Sequence, residues 1–97
     1  MGLEKGRPQV IHDLKIWPVY FEAVRSGKKR FEVRKTDRDF KEGDVIVLRE
    51  YDADRSAYTG RLVAGRIEFV TLLAGLDPVL EGYCAFSFRL TTTGERP

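Results

Sequence analysis

The stretch GKKRFEVRKTDRDFKEGD, residues 27–44, decides how this chain folds. Most of it is charged, yet its segment RFEVRK (30–35) alternates with a period of two, which is typical of a β-strand. Phe31 and Val33 lie on one face of this strand, and the charged side chains lie on the other. A shift of one residue would exchange the faces, so we expect one register, with Phe31 and Val33 in the core. The charged face is then either a solvated edge or one side of a binding site.

The rest of the chain is predicted to be short strands with one helix. VIHDLKI (10–16) alternates like a strand, and a helix is predicted over 18–26, because Pro18 suits a first turn and Gly27 suits a helix end. The C-terminal half is predicted to contain strands at 45–51, 61–73 and 83–90, a hairpin loop at 52–60, a bend or bulge at Gly65 and one helical turn within 74–82. Five strands with few helices indicate an α+β, mostly β, fold. We expect a small, mostly antiparallel barrel, because closing the sheet hides its edges.

The composition fits one soluble domain. The chain has 97 residues, of which 42% are hydrophobic and 33% are charged. We place the domain at residues 10–90, with flexible polar tails at 1–9 and 91–97. No apolar stretch of the sequence approaches the roughly 18 residues that a membrane-spanning helix needs. We therefore expect a cytoplasmic monomer that contacts no membrane.

The sequence offers few groups for metal or cofactor chemistry. One histidine and one cysteine cannot form a transition-metal site of the usual composition. There is no glycine-rich phosphate loop, so we expect neither a metal nor a cofactor. Cys84, between Tyr83 and Ala85, is expected to be a small buried residue of the last strand.

Positive charge is concentrated in one segment. Residues 25–41 contain eight Lys or Arg and three acids, a net charge of +5, whereas the whole chain carries +2. Such a concentration indicates an anionic partner, although a solvated basic edge would look the same. Glu32 could accept hydrogen bonds from a base, and Arg34 could bind a phosphate or stack on a base. As a plain surface ion pair, they would contribute only about 0–1 kcal/mol.

Three further side chains have two interpretations each. His12 shares a strand face with Leu14 and is either packed in the core or functional. Tyr51 and Tyr58 flank the predicted hairpin loop. They are either structural residues at strand ends or platforms on which bases stack.

The segment GKKRFEVR (27–34) matches the glycine-x-lysine-x-x-glutamate-x-arginine motif of ASCH domains, which belong to the PUA-like superfamily. A longer run, from residue 11 to about 90, resembles the DUF3850 family of small PUA/ASCH-like domains from bacteria and phages. That run includes HDLKIWPVYFEAVRSG, YTGR and GYCAFSF. The resemblance implies a PUA-like pseudo-barrel of about five strands with one or two short helices, and a cleft beside the motif strand.

The resemblance also implies which residues matter. Lys29, Glu32 and Arg34 are the motif residues, and other characteristic positions of the closer family are matched by His12, Lys15, Arg38, Asp44, Tyr58, Thr59 and Arg61. ASCH-like domains are thought to hold RNA or a modified base, so we expect an RNA- or modified-nucleotide-binding domain rather than an enzyme. The expected ligand-binding residues are His12, Lys15, Lys28, Lys29, Glu32, Arg34, Arg38, Tyr58 and Arg61.

Two alternatives stay open. Some ASCH proteins are small amidohydrolases that deacetylate N4-acetylcytidine and look to use a lysine and a threonine three residues later. Lys29 fits the lysine, but Glu32 occupies the threonine position, so an enzyme would use Lys29 and Glu32 as an acid/base pair. The other alternative is a protein-interaction or regulatory domain with an apolar surface near Trp17 and Leu76. Trp17 could equally cap the barrel.

Overall fold

A computed structural model describes residues 10–92 of the chain. Its elements, in chain order, are β1 (Ile11–Ile16), α1 (Pro18–Arg25), β2 (Phe31–Lys35), β3 (Val45–Asp52), β4 (Ala57–Leu72), two short 3₁₀ turns (Leu73–Gly75 and Pro78–Leu80) and β5 (Tyr83–Leu90). The strands form one sheet in the order β1-β3-β4-β5-β2, curled into a half-barrel. β1 and β3 are parallel, and the other neighbouring pairs are antiparallel. The expected mostly β fold with five strands and one helix is confirmed, and it is compatible with a small pseudo-barrel.

The predicted boundaries are accurate to one residue for β1, α1, β2, β3 and β5. The hairpin is the exception, because β4 begins at Ala57, inside the predicted loop, and pairs Tyr58 with Tyr51. Gly65 is not a bulge. The register of β4 against β5 shifts between Ile67 and Phe69 instead. A Cβ atom at Gly65 would lie 2.8 Å from the carbonyl oxygen of Arg89, so glycine allows β5 to approach β4 there. The predictions for the tails at 1–9 and 93–97 lie outside the described residues.

The core lies inside the curled sheet. β1 and β5 alternate as predicted: Leu14 and Ile16 are buried, and so are Cys84, Phe86 and Phe88. Helix α1 adds the buried side chains of Phe21 and Val24. The buried position of Cys84 is confirmed, and burial raises the pKa of its thiol.

The prediction for the two faces of β2 is wrong. Phe31 and Val33 are 50% and 49% exposed, whereas Glu32 is only 5% exposed. Period two sorts side chains onto two faces but does not say which face turns inward. β2 is an end strand of the sheet, and its inner face borders a cleft. A charge can lie there because neighbouring cations compensate for the loss of water around it.

Candidate functional site

A cleft of about 660 Å³ lies between the two end strands of the sheet, β1 and β2. Ligand sites in proteins typically have volumes of about 300–1,000 Å³. Residues at the start of α1 and in the loop after β2 also line the cleft. The lining residues are Leu14, Lys15, Ile16, Trp17, Tyr20, Lys29, Phe31, Glu32, Val33, Arg34, Lys35, Asp37, Arg38, Phe40 and Tyr83.

Glu32 is the buried charge of this cleft, and each of its two carboxylate oxygens is bound by a cation. The Lys29 ammonium donates to Oε2 of Glu32 at 2.9 Å, and Nε of Arg34 donates to Oε1 at 3.2 Å. Such contacts are required, because a buried carboxylate without partners would be strongly destabilising. They follow from local geometry. Arg34 is two residues away on the same strand face, and Lys29 lies in the turn that leads into β2.

Lys29 and Arg34 also donate hydrogen bonds to backbone carbonyl groups of the two end strands, β2 and β1. Lys29 Nζ also donates to the carbonyl oxygen of Phe31 at 2.7 Å. Nη2 of Arg34 donates to the carbonyl oxygen of Lys15 at 2.9 Å, which links β2 to β1 across the cleft. The Lys29–Glu32–Arg34 cluster, called the Glu32 centre below, is therefore positioned by backbone contacts as well as by its own ion pairs.

The Glu32 centre has hydrogen-bonding capacity left for a ligand. A carboxylate has about four acceptor positions and a guanidinium has five donor hydrogens. Each oxygen of Glu32 accepts one of the two bonds described, and Arg34 uses Nε and Nη2 for its contacts within the protein. The centre can therefore accept a hydrogen bond from a ligand at Glu32 and donate others from Arg34 without first breaking its internal contacts.

The cleft is positively charged overall and rich in aromatic rings. Its lining includes five basic residues (Lys15, Lys29, Arg34, Lys35 and Arg38) and two acidic ones (Glu32 and Asp37). Five aromatic side chains line the same space: Trp17, Tyr20, Phe31, Phe40 and Tyr83. Trp17 lines the cleft and is 46% exposed, so it stands at the cleft rim. Cations beside exposed rings favour a flat, anionic ligand.

The predicted site residues fall into two groups. The cleft brings together Lys15, Lys29, Glu32, Arg34 and Arg38. The other four lie elsewhere: Lys28 is exposed outside the lining, and His12 is buried, with Nε2 at 2.8 Å from Oδ2 of Asp44. Tyr58 and Arg61 line a second cavity of about 550 Å³, together with Asp13, Arg49 and Gly60. The ring of His12 lies 4.6 Å from that of Phe40, so the His12–Asp44 pair packs behind the cleft wall.

A second buried acid, Glu50, was not singled out by the sequence reasoning. It is 4% exposed and accepts hydrogen bonds from Thr59 at 2.7 Å and from Arg61 at 2.9 Å. Nη2 of Arg61 also donates to Glu22 on α1 at 2.9 Å. The sequence feature that could have identified Glu50 is the alternation of β3, which places Glu50 on the same buried face as Ile46 and Leu48. We call the Glu22–Glu50–Arg61 cluster, with Thr59, the Glu50 centre.

Hydrogen bonding governs the titration of the Glu50 centre. The bond from Arg61 lowers the pKa of Glu50 below its ordinary value of 4.5, although burial acts in the opposite direction. Bonds from Arg25 and then Arg61 lower the pKa of Glu22. The bonds to Glu50 and Glu22 raise the pKa of Arg61. All three side chains are therefore charged at neutral pH, and they hold one another in place.

The described part of the chain contains no group of three or more His, Cys, Asp or Glu side chains arranged to hold a metal ion. Within residues 10–92, no helix combines the length and the apolar character needed to cross a membrane.

The sequence of this domain matches a known protein family. The family model described as "Domain of unknown function (DUF3850)" matches residues 11–88, which include both end strands and the Glu32 centre. The chain therefore belongs to the DUF3850 family, as the resemblance in its sequence predicted. It is similar to the uncharacterized 12.9 kDa protein in the GpA 3′ region of Escherichia phage P2, with 44% identity over 64 residues. The match covers 66% of this chain and 57% of the length of the phage protein.

Proposed function

We propose that the cleft between β1 and β2 binds a nucleotide, either a base of single-stranded RNA or a modified nucleotide. The observation that carries this proposal is the buried Glu32, bound on both sides by cations that still have donors for a ligand. The half-barrel and the GKKRFEVR motif support an ASCH-type, PUA-like domain, in which such a cleft would be the ligand site.

Each part of the cleft would meet a different part of the ligand. Glu32 would accept hydrogen bonds from an amino or imino group of the base, and Arg34 would donate to an adjacent carbonyl group. Lys15 and Arg38, which are exposed on the lining, would contact phosphates. Trp17 or Tyr20 would stack on the base, since ring faces are available at the rim.

Single strands and loops suit this cleft better than a duplex. The Glu32 centre lies at the buried end of the cleft, so a base must leave its stack to reach it. Sequence-specific RNA recognition generally uses unstacked bases of this kind, because the major groove of an RNA helix is too narrow for side chains. Binding should weaken with salt, because the lining carries more basic than acidic residues.

The direct test measures the affinity of two cleft variants for a short single-stranded RNA. Lys29→Ala and Arg34→Ala should each weaken binding by about tenfold or more, which is typical of the loss of a hydrogen bond from a charged group. Arg89→Ala is the matched control, because Arg89 is an exposed, ion-paired arginine that pairs with Glu68 outside the cleft. Unchanged affinity in both cleft variants, with both proteins folded, would reject the proposal.

One observation favours a second candidate, hydrolysis of an acylated nucleoside. The ammonium of Lys29 and the carboxylate of Glu32 are 2.9 Å apart, close enough to pass a proton. None of the described residues that line the cleft is Ser, Thr or Cys, so the attacking group would be water and Glu32 its base. Glu32→Gln should then abolish turnover of N4-acetylcytidine while the protein stays folded. Absence of turnover by the wild type across a panel of acylated nucleosides would reject this candidate.

A further inference from the structure

Three aromatic side chains form a continuous strip that leads out of the cleft. The ring of Trp17, at the cleft rim, lies 5.9 Å from that of Tyr51, and the Tyr51 ring lies 5.0 Å from that of Tyr58. Trp17 and Tyr58 are 46% and 55% exposed. Their positions follow from the fold, because Trp17 directly precedes α1 and Tyr51 faces Tyr58 across the β3–β4 ladder. We call Trp17, Tyr51 and Tyr58 the aromatic strip.

The strip leaves ring surface free for a ligand. Tyr51 and Tyr58 meet at 77°, edge to face. In such a pair, at least one ring has neither face covered by the other. Half-exposed aromatic rings grouped in this way are costly to leave in water and mark a binding surface.

A cation lies at the boundary between the cleft and the strip. Lys15 lines the cleft, and its Nζ lies 4.1 Å from the centre of the Tyr51 ring. A phosphate beside Lys15 would therefore have the cleft on one side and the strip on the other. Alternating rings and cations along a surface are the arrangement that binds a single nucleic acid strand, since rings stack on bases and cations neutralise phosphates.

We infer that the ligand is a single-stranded oligonucleotide at least two nucleotides long: one base occupies the cleft, and the next stacks on the aromatic strip at Tyr58, with Lys15 at the phosphate between them. This inference rests on the proposed function and narrows it, because a free nucleoside would use the cleft alone. It also gives a role to Tyr58, which lies outside the cleft lining.

The test compares a mononucleotide with a longer strand. Uridine 5′-monophosphate and a uridine tetranucleotide are titrated against the full chain, and fluorescence of Trp17, the single tryptophan, reports binding. The wild type should bind the tetranucleotide more tightly. Tyr58→Ala should weaken tetranucleotide binding on the order of tenfold, the usual effect of losing one stacked base, and leave mononucleotide binding unchanged.

Two controls separate stacking from a general loss of aromatic surface. Tyr58→Phe keeps the ring and should keep the tetranucleotide affinity. Phe69→Ala removes a ring of similar exposure from the same strand, outside the cleft lining and the strip, and should also change neither affinity. A tetranucleotide can bind in several equivalent positions, which raises its apparent affinity over that of the mononucleotide. This statistical effect is the same in every variant and therefore does not affect the comparison between variants.

The outcomes distinguish this inference from the proposal beneath it. If the mononucleotide binds the wild type and Tyr58→Ala leaves the tetranucleotide affinity unchanged, the cleft binds nucleotides and the aromatic strip does not. If neither ligand binds the wild type, both the inference and the proposed function are overturned. Selective loss of tetranucleotide affinity in Tyr58→Ala, with Tyr58→Phe intact, supports both.

Discussion

The Glu32 centre and the Glu50 centre each contain a carboxylate that is at most 5% exposed, and each carboxylate is bound by arginine. Their charge balance differs. At the Glu50 centre, Arg61 is shared by two carboxylates, Glu50 and Glu22, and Arg25 also donates to Glu22, so two arginines face two carboxylates. At the Glu32 centre, two cations share one carboxylate.

The surroundings of the two centres also differ: the Glu50 centre connects secondary-structure elements, and the Glu32 centre borders a cleft. Arg61 stacks against the ring of Phe21, at 4.7 Å, and connects strands β3 and β4 to helix α1. The Glu32 centre instead opens into the cleft between the sheet ends. A buried acid whose arginine also pairs with a second acid ties elements together, whereas a buried acid with surplus cations beside a cleft is available to an anionic ligand. The four predictions below test this division.

The largest effect is expected from Arg61→Ala. The change leaves the buried Glu50 without its guanidinium, and we expect the free energy of unfolding to fall by about 2 kcal/mol. The value is below that for breaking a fully buried pair, because the side chain of Arg61 is 39% exposed. Urea unfolding measures the effect, and Arg89→Ala, which breaks an exposed pair, should cost less than about 0.5 kcal/mol. Equal losses in the two variants would show that the Glu50 centre does not tie the fold together.

A comparison of Glu32→Gln with Glu50→Gln tests whether the Glu32 centre binds RNA and the Glu50 centre does not. Glu32→Gln should weaken the binding of single-stranded RNA by about tenfold, because a charged acceptor for the base is lost. Glu50→Gln should leave the affinity unchanged. Fluorescence titration measures both. A rise in affinity for Glu32→Gln would mean that attraction of phosphates dominates and that Glu32 does not read a base.

The stability contribution of Glu50 should depend on pH. Its pKa in the folded protein lies below the ordinary value of 4.5, mainly because Arg61 donates to it, so the unfolded chain binds its proton more readily than the folded chain. The stabilisation is present above the unfolded pKa and is lost as pH falls through the folded pKa. Glu50→Gln should therefore cost about 1 kcal/mol at neutral pH. Urea unfolding at several pH values should show this difference shrinking below pH 4.5, and a difference constant with pH would contradict the account.

The smallest effect is expected from Lys28→Ala. Lys28 is exposed and lies outside the cleft lining, whereas its neighbour Lys29 contacts Glu32. Removing Lys28 takes away only a screened surface charge, so RNA affinity should fall less than about threefold. The comparison with Lys29→Ala, measured in the same salt, shows whether position in the cleft or net charge governs binding. Similar losses for the two lysines would favour net charge.

Much of this architecture could be predicted from local patterns. Alternation located the buried residues of β1 and β5, and Pro18 with Gly27 marked the ends of the helix. The basic segment and its motif indicated the side chains that line the cleft beside β2. These features depend on residues close together in the chain, where period and turn chemistry act directly.

The inversion of β2 shows where local patterns fail. The alternation in RFEVR separates two faces correctly, but the inward face depends on what lies across from it. Here that is the cleft and, beyond it, β1, whose Lys15 carbonyl group receives Arg34. Glu50, Arg61 and Glu22 meet in the same non-local way, from two strands and a helix. The sequence does contain a signal for this centre. In β3, Glu50 follows Leu48 on the buried face, and a charged residue at such a position needs a partner of opposite charge.

The most direct test of the central claim is an amide-shift titration of the isotope-labelled protein with a short single-stranded RNA at low and at high salt. We predict saturable shifts centred on Lys15, Trp17 and residues 29–38, smaller shifts near Tyr51 and Tyr58 from the second nucleotide, and a steep loss of affinity as salt rises. Shifts confined to the Glu50 centre and the aromatic strip, or an absence of shifts in residues 29–38 at low salt, would contradict the claim that the Glu32 centre is the ligand site.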